Sequence, residues 1–268
     1  MRTIAQISDL HFGRHSLSVA EDLLASVNEN HPHLVALSGD FTQRARHAEF
    51  AEARRFLDRI PHPKLVVPGN HDIPLYNVFV RFLTPLSKFH RYVTPVGHSG
   101  GFFHDDEIAV LGLNTARGFS RKNGRISLQQ IAQIGCVFRD VPGGVFKILV
   151  THHPLAAPSG NALLNLAGRS RLALQAIANA GVHLLLSGHH HRALSGSFAE
   201  MEDGGSILVL HAGTAISTRM RGEGNSYNLI HVDKEQVSVR VMEWAASDGF
   251  REKTNATYVF GEGRWRPK

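Results

Sequence analysis

Leu65-Val66-Val67-Pro68-Gly69-Asn70-His71-Asp72 decides the fold: a short apolar run stops at proline and glycine, and side chains able to ligate metal follow at once. A strand buried on both faces reads as such a run, and the turn residues mark its carboxyl end. The arrangement recurs. Residues 3–7 lead into Asp9-Leu10-His11, 34–37 into Gly39-Asp40, 146–150 into His152-His153-Pro154, and 182–186 into Gly188-His189-His190-His191. Between the first three runs, Val19, Leu23, Leu24 and Val27, then Phe50, Phe56, Leu57 and Ile60, fall at helical spacing. Strand, helix, strand, helix, strand predicts an α/β fold with a parallel core sheet. Ligands gather at the carboxyl ends of such strands, so five strands sharing a sheet would bring all five blocks to one edge.

Beyond the third block the pattern changes. Tyr76, Phe79, Val80, Leu83, Leu86 and Phe89 keep helical spacing around Pro85, which predicts a kinked helix packed on the core. The aromatic and basic make-up of this region beside the third block also makes residues 74–101 a lid or rim segment. Phe102-Phe103 and residues 108–113 read as a hairpin around His104-Asp105-Asp106-Glu107, and Ser127-Leu128-Gln129-Gln130 as a capping box opening a helix. Residues 171–180 read as a helix; 206–211, 227–232 and 237–242 alternate and read as antiparallel strands. With no repeat or linker in view, residues 1–268 read as a single domain with two sheets.

Composition narrows the class. Hydrophobic residues at 43% of the 268 positions are enough for a globular core. The single cysteine, Cys136, excludes an internal disulfide and a thiolate metal cage, and its neighbours Ile134 and Val137 suggest a buried thiol. No secretory leader or membrane-spanning run is visible, so a cytoplasmic protein is expected. A formal charge of +6 suits an anionic substrate, while the lack of any long run of like charge gives no strong nucleic-acid signal. The 18 histidines are the anomaly, and their clustering matters most.

Carboxylate, amide oxygen and imidazole together suit manganese, iron, zinc or nickel. Asp9, His11 and His191 can serve one ion, Asn70, His152 and His189 a second, and Asp40 has the two oxygens needed to bridge them. Two ions about 3.5–4 Å apart would activate a bridging hydroxide for in-line attack on phosphorus. His71, next to a ligand without being needed as one, is assigned to contact phosphate and protonate the leaving oxygen. His153 and His190 each neighbour a better-placed ligand and are expected to support the site from outside it.

This set of blocks resembles the calcineurin-like metallophosphoesterase superfamily, in the family's order, over residues 4 to about 232. Leu113-Asn114-Thr115-Ala116-Arg117, Gly124-Arg125-Ile126-Ser127, residues 212–217 and residues 225–230 are most similar to class III cyclic-nucleotide phosphodiesterases and their bacterial relatives. The resemblance implies a four-layer α/β/β/α sandwich, with two mixed sheets flanked by helices. It implies two divalent or mixed-valence metal ions, one on Asp9, His11, Asp40 and His191, the other on Asp40, Asn70, His152 and His189, with His71 catalytic. Many superfamily phosphatases carry Gly-Asp-x-x-Asp, whose second Asp orients the catalytic histidine. Here Gln43 stands there, which leaves Asp72 as a substitute or His71 as a hydrogen-bond donor.

The expected activity is hydrolysis of a small phosphodiester such as a cyclic nucleotide. Phosphomonoesters, lipid head groups (which the aromatic-basic 76–92 stretch would suit) and nucleic acid are the competing substrates; a non-catalytic scaffold conflicts with the complete ligand set. Arg117, Arg219 and Arg221 are candidates to meet phosphate, and the carboxy-terminal strands offer a surface for homodimer pairing.

Overall fold

The computed structural model describes residues 1–98, 101–120, 122–156, 165–200, 205–219 and 222–268. The first half runs β1 (Arg2–Ile7), α1 (Leu17–Glu29), β2 (Leu34–Leu37), α2 (His47–Asp58), β3 (Lys64–Val66), α3 (Val78–Leu83), α4 (Ser87–Tyr92), β4 (Phe102–His104) and β5 (Ile108–Leu113). The second half runs α5 (Leu128–Arg139), β6 (Phe146–Thr151), α6 (Ser170–Asn179), β7 (Leu184–Ser187), β8 (Leu194–Glu200), β9 (Ser206–His211), β10 (Ser226–Val232), β11 (Gln236–Ala245), β12 (Gly249–Gly261) and β13 (Arg264–Pro267). They form a seven-stranded sheet ordered β13-β12-β11-β10-β1-β2-β3 and a six-stranded sheet ordered β4-β5-β6-β7-β9-β8.

Side chains alternate between the two faces of a strand, and here both faces are apolar. Ala5, Ile7, Val35 and Leu37 pack with Leu23, Phe50 and Leu57 of α1 and α2. Their neighbours Ile4, Leu34 and Ala36 turn the other way, onto Val110, Ile148, Val150, Leu184 and Leu186 of the second sheet. Ala109, Leu111, Leu149 and Leu185 then meet Ile134, Phe138, Ala173 and Ile177 of α5 and α6. The result is the four-layer α/β/β/α arrangement, with two mixed sheets between helices.

The parallel core expected from the sequence is present: β1 pairs in parallel with β2, and β2 with β3. The five site-bearing strands do not share one sheet, however. β1, β2 and β3 lie in the seven-stranded sheet, β6 and β7 in the six-stranded one, and the blocks meet because the sheets stack. The expected helix at Ser127 is capped as foreseen, its hydroxyl accepting from Gln130 N while Gln130 Oε1 accepts from Ser127 N.

Three expectations need correction. Strand β9 runs parallel to β7 and antiparallel only to β8, a choice that alternation cannot encode. Cys136 is exposed, because Ile134 and Phe138 take the buried side of α5 and position 136 falls opposite them. The kinked helix is two short helices parted at Pro85, and only the second packs: Leu86 and Phe89 are buried, whereas Tyr76 and Phe79 are 78% and 80% exposed.

His183 leads into β7 and locks that strand to β6. Its Nδ1 accepts from Lys147 N at 3.0 Å, its own N–H donates to Lys147 O at 2.9 Å, and Phe146 stacks on its ring. Burial, with help from the Lys147 ammonium, pushes its pKa from 6.5 down to about 4. The unfolded chain therefore takes a proton first, so the stability this residue contributes is intact above pH 6.5 and is lost as pH falls toward 4. Between pH 7 and pH 5 the urea midpoint of His183→Gln, which keeps an acceptor for Lys147 N, is expected to drop less than that of the wild type. Equal drops would show that His183 does not carry this dependence.

Candidate metal centre

Each block follows its strand and turns sharply. Asp9, His11, Asp40, His189 and His191 all adopt left-handed backbone, with φ between 50° and 75°. Such conformations cost non-glycine residues energy and collect at functional sites. Extra backbone bonds hold the first two blocks in place: Asp9 N donates to Gly39 O, His11 N to Asp40 O and Phe12 N to Phe41 O. Glycine is required where the blocks touch. A Cβ at Gly69 would stand 2.1 Å from Asp40 Oδ1, and one at Gly39, itself at φ +93°, 2.6 Å from the His152 ring.

The structure brings five of the expected ligands together in the interior, with Asn70 and His189 half-buried beside them. Asp9, His11 and His152 have 0% exposure, Asp40 1% and His191 3%. His191 Nε2 lies 3.3 Å and His11 Nε2 3.5 Å from Asp9 Oδ1. Asp40 Oδ2 lies 3.3 Å from His152 Nε2 and 3.8 Å from His11 Nε2, so one carboxylate oxygen faces imidazoles from both expected groups. Asn70 opens the turn after β3, and the His189 ring stands edge-on to His152 with centroids 5.2 Å apart.

Hydrogen bonds set the tautomers. His152 Nδ1–H donates to Ser38 O at 2.8 Å, which leaves the bare Nε2 aimed at a carboxylate oxygen. Asp9 Oδ2 accepts from Ser8 Oγ and His189 N. Asp9 Oδ1 and His152 Nε2 are buried with no hydrogen-bond partner among the described residues. A lone pair facing a carboxylate in an enclosed site is repulsive unless a cation lies between them. Burial alone would raise the Asp40 pKa, yet His152 and His71 hold it well below the usual carboxylate range. Burial would lower the His152 pKa, but Asp40 raises it to about 9: Nε2 meets that carboxylate favourably only through a cation, a proton or a metal ion. Ligand atoms of Asp9, His11 and His191, and of Asp9, Asp40 and His152, lie within 4.8 Å of one another, and these residues fit a metal.

His153 comes nearer than expected. Its Nδ1 bonds Thr115 Oγ1 at 2.9 Å, and its ring lies 4.6 Å from that of His189. With His152 and His189 it forms a further group of ligand atoms within 4.8 Å.

His71 is held by backbone. Its N–H donates to Asp40 Oδ1 at 2.8 Å and its Nδ1–H to the carbonyl of Gln43 at 2.9 Å. The main chain of Gln43 thus orients the imidazole in place of the missing carboxylate, and burial lowers the His71 pKa. Asp72 does not substitute. Its carboxylate accepts from Gly69 N, Phe41 N, Thr42 N and Thr42 Oγ1, binding the second block to the third. Burial, with Asp40 nearby, lifts the Asp72 pKa to about 7 against those donors.

His71, Asn70, Asp40 and His189 to His191 line a cavity of about 410 Å³. Arg219, expected from the sequence, is on its wall and donates to Gln43 Oε1. Arg117 instead bonds Gln130 Oε1 and Ala116 O and is not among the lining residues; Arg221 lies outside the described residues. Sequence reasoning missed Arg44, Arg81, Lys122, Asn123 and Asn165 on the wall. One signal was available: residues 73–104 and 108–139 contain no Asp or Glu.

The chain is similar to known proteins in sequence and in fold. The calcineurin-like phosphoesterase family model matches residues 2–193. A glycerophosphodiester phosphodiesterase, GpdQ, from Enterobacter lignolyticus is 29% identical over 181 residues, 60% of this chain and 60% of the relative, so the match spans less than two thirds of that protein. Purple acid phosphatase PPD1 from yellow lupin superposes with a TM-score of 0.67 at 11% identity, over 96% of this chain and 53% of that one. A dimetal phosphatase from Danio rerio superposes with a TM-score of 0.63 at 14% identity, over 97% and 99%. At such identities the two structures speak for the fold alone.

Asp72→Ala is expected to strand the buried donors of Gly69, Phe41 and Thr42 and lower the unfolding free energy by about 3–5 kcal/mol. Urea denaturation measures it, and a loss below about 1 kcal/mol would mean the carboxylate does not hold the two blocks together.

Proposed function

Because the chain belongs to the calcineurin-like phosphoesterase family, whose members depend on dinuclear metal centres, we propose that it hydrolyses small phosphodiesters at this site. One observation carries the reading: Asp40 Oδ2 faces His11 on one side and His152 on the other. Asp9, His11, Asp40 and His191 would hold one ion, and Asp40, Asn70, His152 and His189 the other. When bound, manganese, iron, zinc or nickel supplies the Lewis acidity that activates water and offsets phosphoryl charge.

The chain's own residues supply the rest. Gln43 O fixes the proton on His71 Nδ1, which leaves Nε2 to hold or give a proton at the leaving oxygen. Arg44, Arg81, Lys122 and Arg219 on the wall attract and orient an anion. The GpdQ relative, a phosphodiesterase by its name, favours a diester. Glycerophosphodiesters and cyclic nucleotides are the chemical classes proposed. Leu75 and Arg81 make the 74–101 segment the rim of the cavity. Residues 1–268 act as one domain on this reading, since β10 to β13 complete the sheet that begins with β1.

With manganese-loaded protein and bis(p-nitrophenyl) phosphate, Asp40→Ala is expected to lose both metals and all turnover. His71→Ala keeps its metals and slows by about 10²–10⁴-fold, more with poor leaving groups. Elemental analysis and initial rates decide it: metal release from His71→Ala overturns its role, and loaded wild type inert toward every diester overturns the function.

A further inference from the structure

Helix α3 is inside out. Its arginine, Arg81, is buried and donates from Nη1 to Pro74 O and from Nη2 to Ser120 O. Its apolar side chains point to water: Phe79 and Leu83, one turn apart, are 80% and 78% exposed, and Tyr76, Val78 and Phe82 are exposed beside them. Phe119, at 88% exposure, extends the ridge, its ring 5.0 Å from that of Phe82. The ridge is pinned rather than frayed. Arg81 ties α3 to the 117–120 loop, and Gly118 approaches so closely that a Cβ there would stand 2.2 Å from Arg81 O. Contiguous exposed apolar surface of this kind marks an interaction site.

Charge selects the occupant. The segments that carry the ridge, 73–98 and 114–125, hold Lys88, Arg91, Arg117, Arg121, Lys122 and Arg125 and no carboxylate side chain, besides Arg81, which is bonded to Pro74 O and Ser120 O. A second copy would bring the same cationic segments toward these, on a chain of net charge +6. An anionic lipid surface offers both an acyl layer for the aromatic and aliphatic side chains and phosphates for the cations. At six residues α3 is too short to span a bilayer and suited to lie in its interface.

We propose that the Tyr76–Phe79–Leu83–Phe119 ridge docks the enzyme on anionic lipid surfaces, which narrows the proposed substrates to glycerophosphodiesters borne as lipid head groups. The docking stands on the ridge alone; the substrate class rests on the diesterase reading of the site. The same segments supply Ile73, Leu75, Arg81, Lys122 and Asn123 to the cavity wall, so docking sets its rim against the phosphate layer.

Flotation of the full metal-loaded chain with vesicles tests it. The wild type is expected to float with mixed phosphatidylglycerol–phosphatidylcholine vesicles and not with phosphatidylcholine alone. Phe79→Ser/Leu83→Ser is expected to bind at least about tenfold less while keeping its urea midpoint and its turnover of soluble bis(p-nitrophenyl) phosphate. A wild type that stays at the bottom of the gradient, equal binding to neutral vesicles, or a double variant that binds like wild type overturns the docking. So does a wild-type dimer in sedimentation that the double variant abolishes, because a second copy then covers the ridge. Vesicle binding without hydrolysis of any diester leaves the docking standing and sinks the catalytic reading and the substrate class with it.

Discussion

Two carboxylates, Asp9 and Asp40, are enclosed where the strands of two stacked sheets end, and the rest of the site answers to their charge. Burying such groups is tolerable only when they are hydrogen-bonded and paired. One oxygen of each is satisfied by protein donors: Asp9 Oδ2 by Ser8 and His189 N, Asp40 Oδ1 by His71 N. The other oxygen of each lies within 4 Å of imidazole nitrogens, and Ser38 fixes the ring of His152 with Nε2 inward. The fold is therefore completed by cations. Whatever supplies them stabilises the native chain by mass action as well as serving the chemistry.

Holding the ligands in this way strains the main chain. Left-handed backbone at five candidate ligands costs on the order of 1–3 kcal/mol each. Compensation is local. The backbone ladder of the first sheet continues past its strands, through Asp9 to Gly39, His11 to Asp40 and Phe12 to Phe41, so the turns are extensions of the sheet. Asp72 then ties the third block to the second from beneath. These bonds lie on the first three strands, which suits a rigid half-site that the second sheet closes with His152, His189 and His191.

Much of this was legible in the sequence because buried parallel strands are short apolar runs and their ends are polar turns. Residues 34–40 and 65–72 state both facts in a few letters. The sheet membership of each run was not legible, since an apolar strand reads alike in either sheet. Nor was the partner of His71, because a backbone carbonyl carries no residue identity, and Gln43 acts through an atom every residue has. The 74–92 segment was half readable: helical spacing is plain, but the spacing of Tyr76, Phe79 and Leu83 is the same whether a face meets core or water. Arg81 on the inner side reverses the usual rule that charge marks the outer face.

The order of the seven-stranded sheet has a consequence for biosynthesis. β1 lies between β2 and β10, so it finds one neighbour within the next few dozen residues and the other only at 226–232. A growing chain leaves one edge of β1 bare until residues 226–232 have left the ribosome. Long-range pairing of this kind is slow to form and open to wrong partners, which makes the nascent first half a natural client for chaperones.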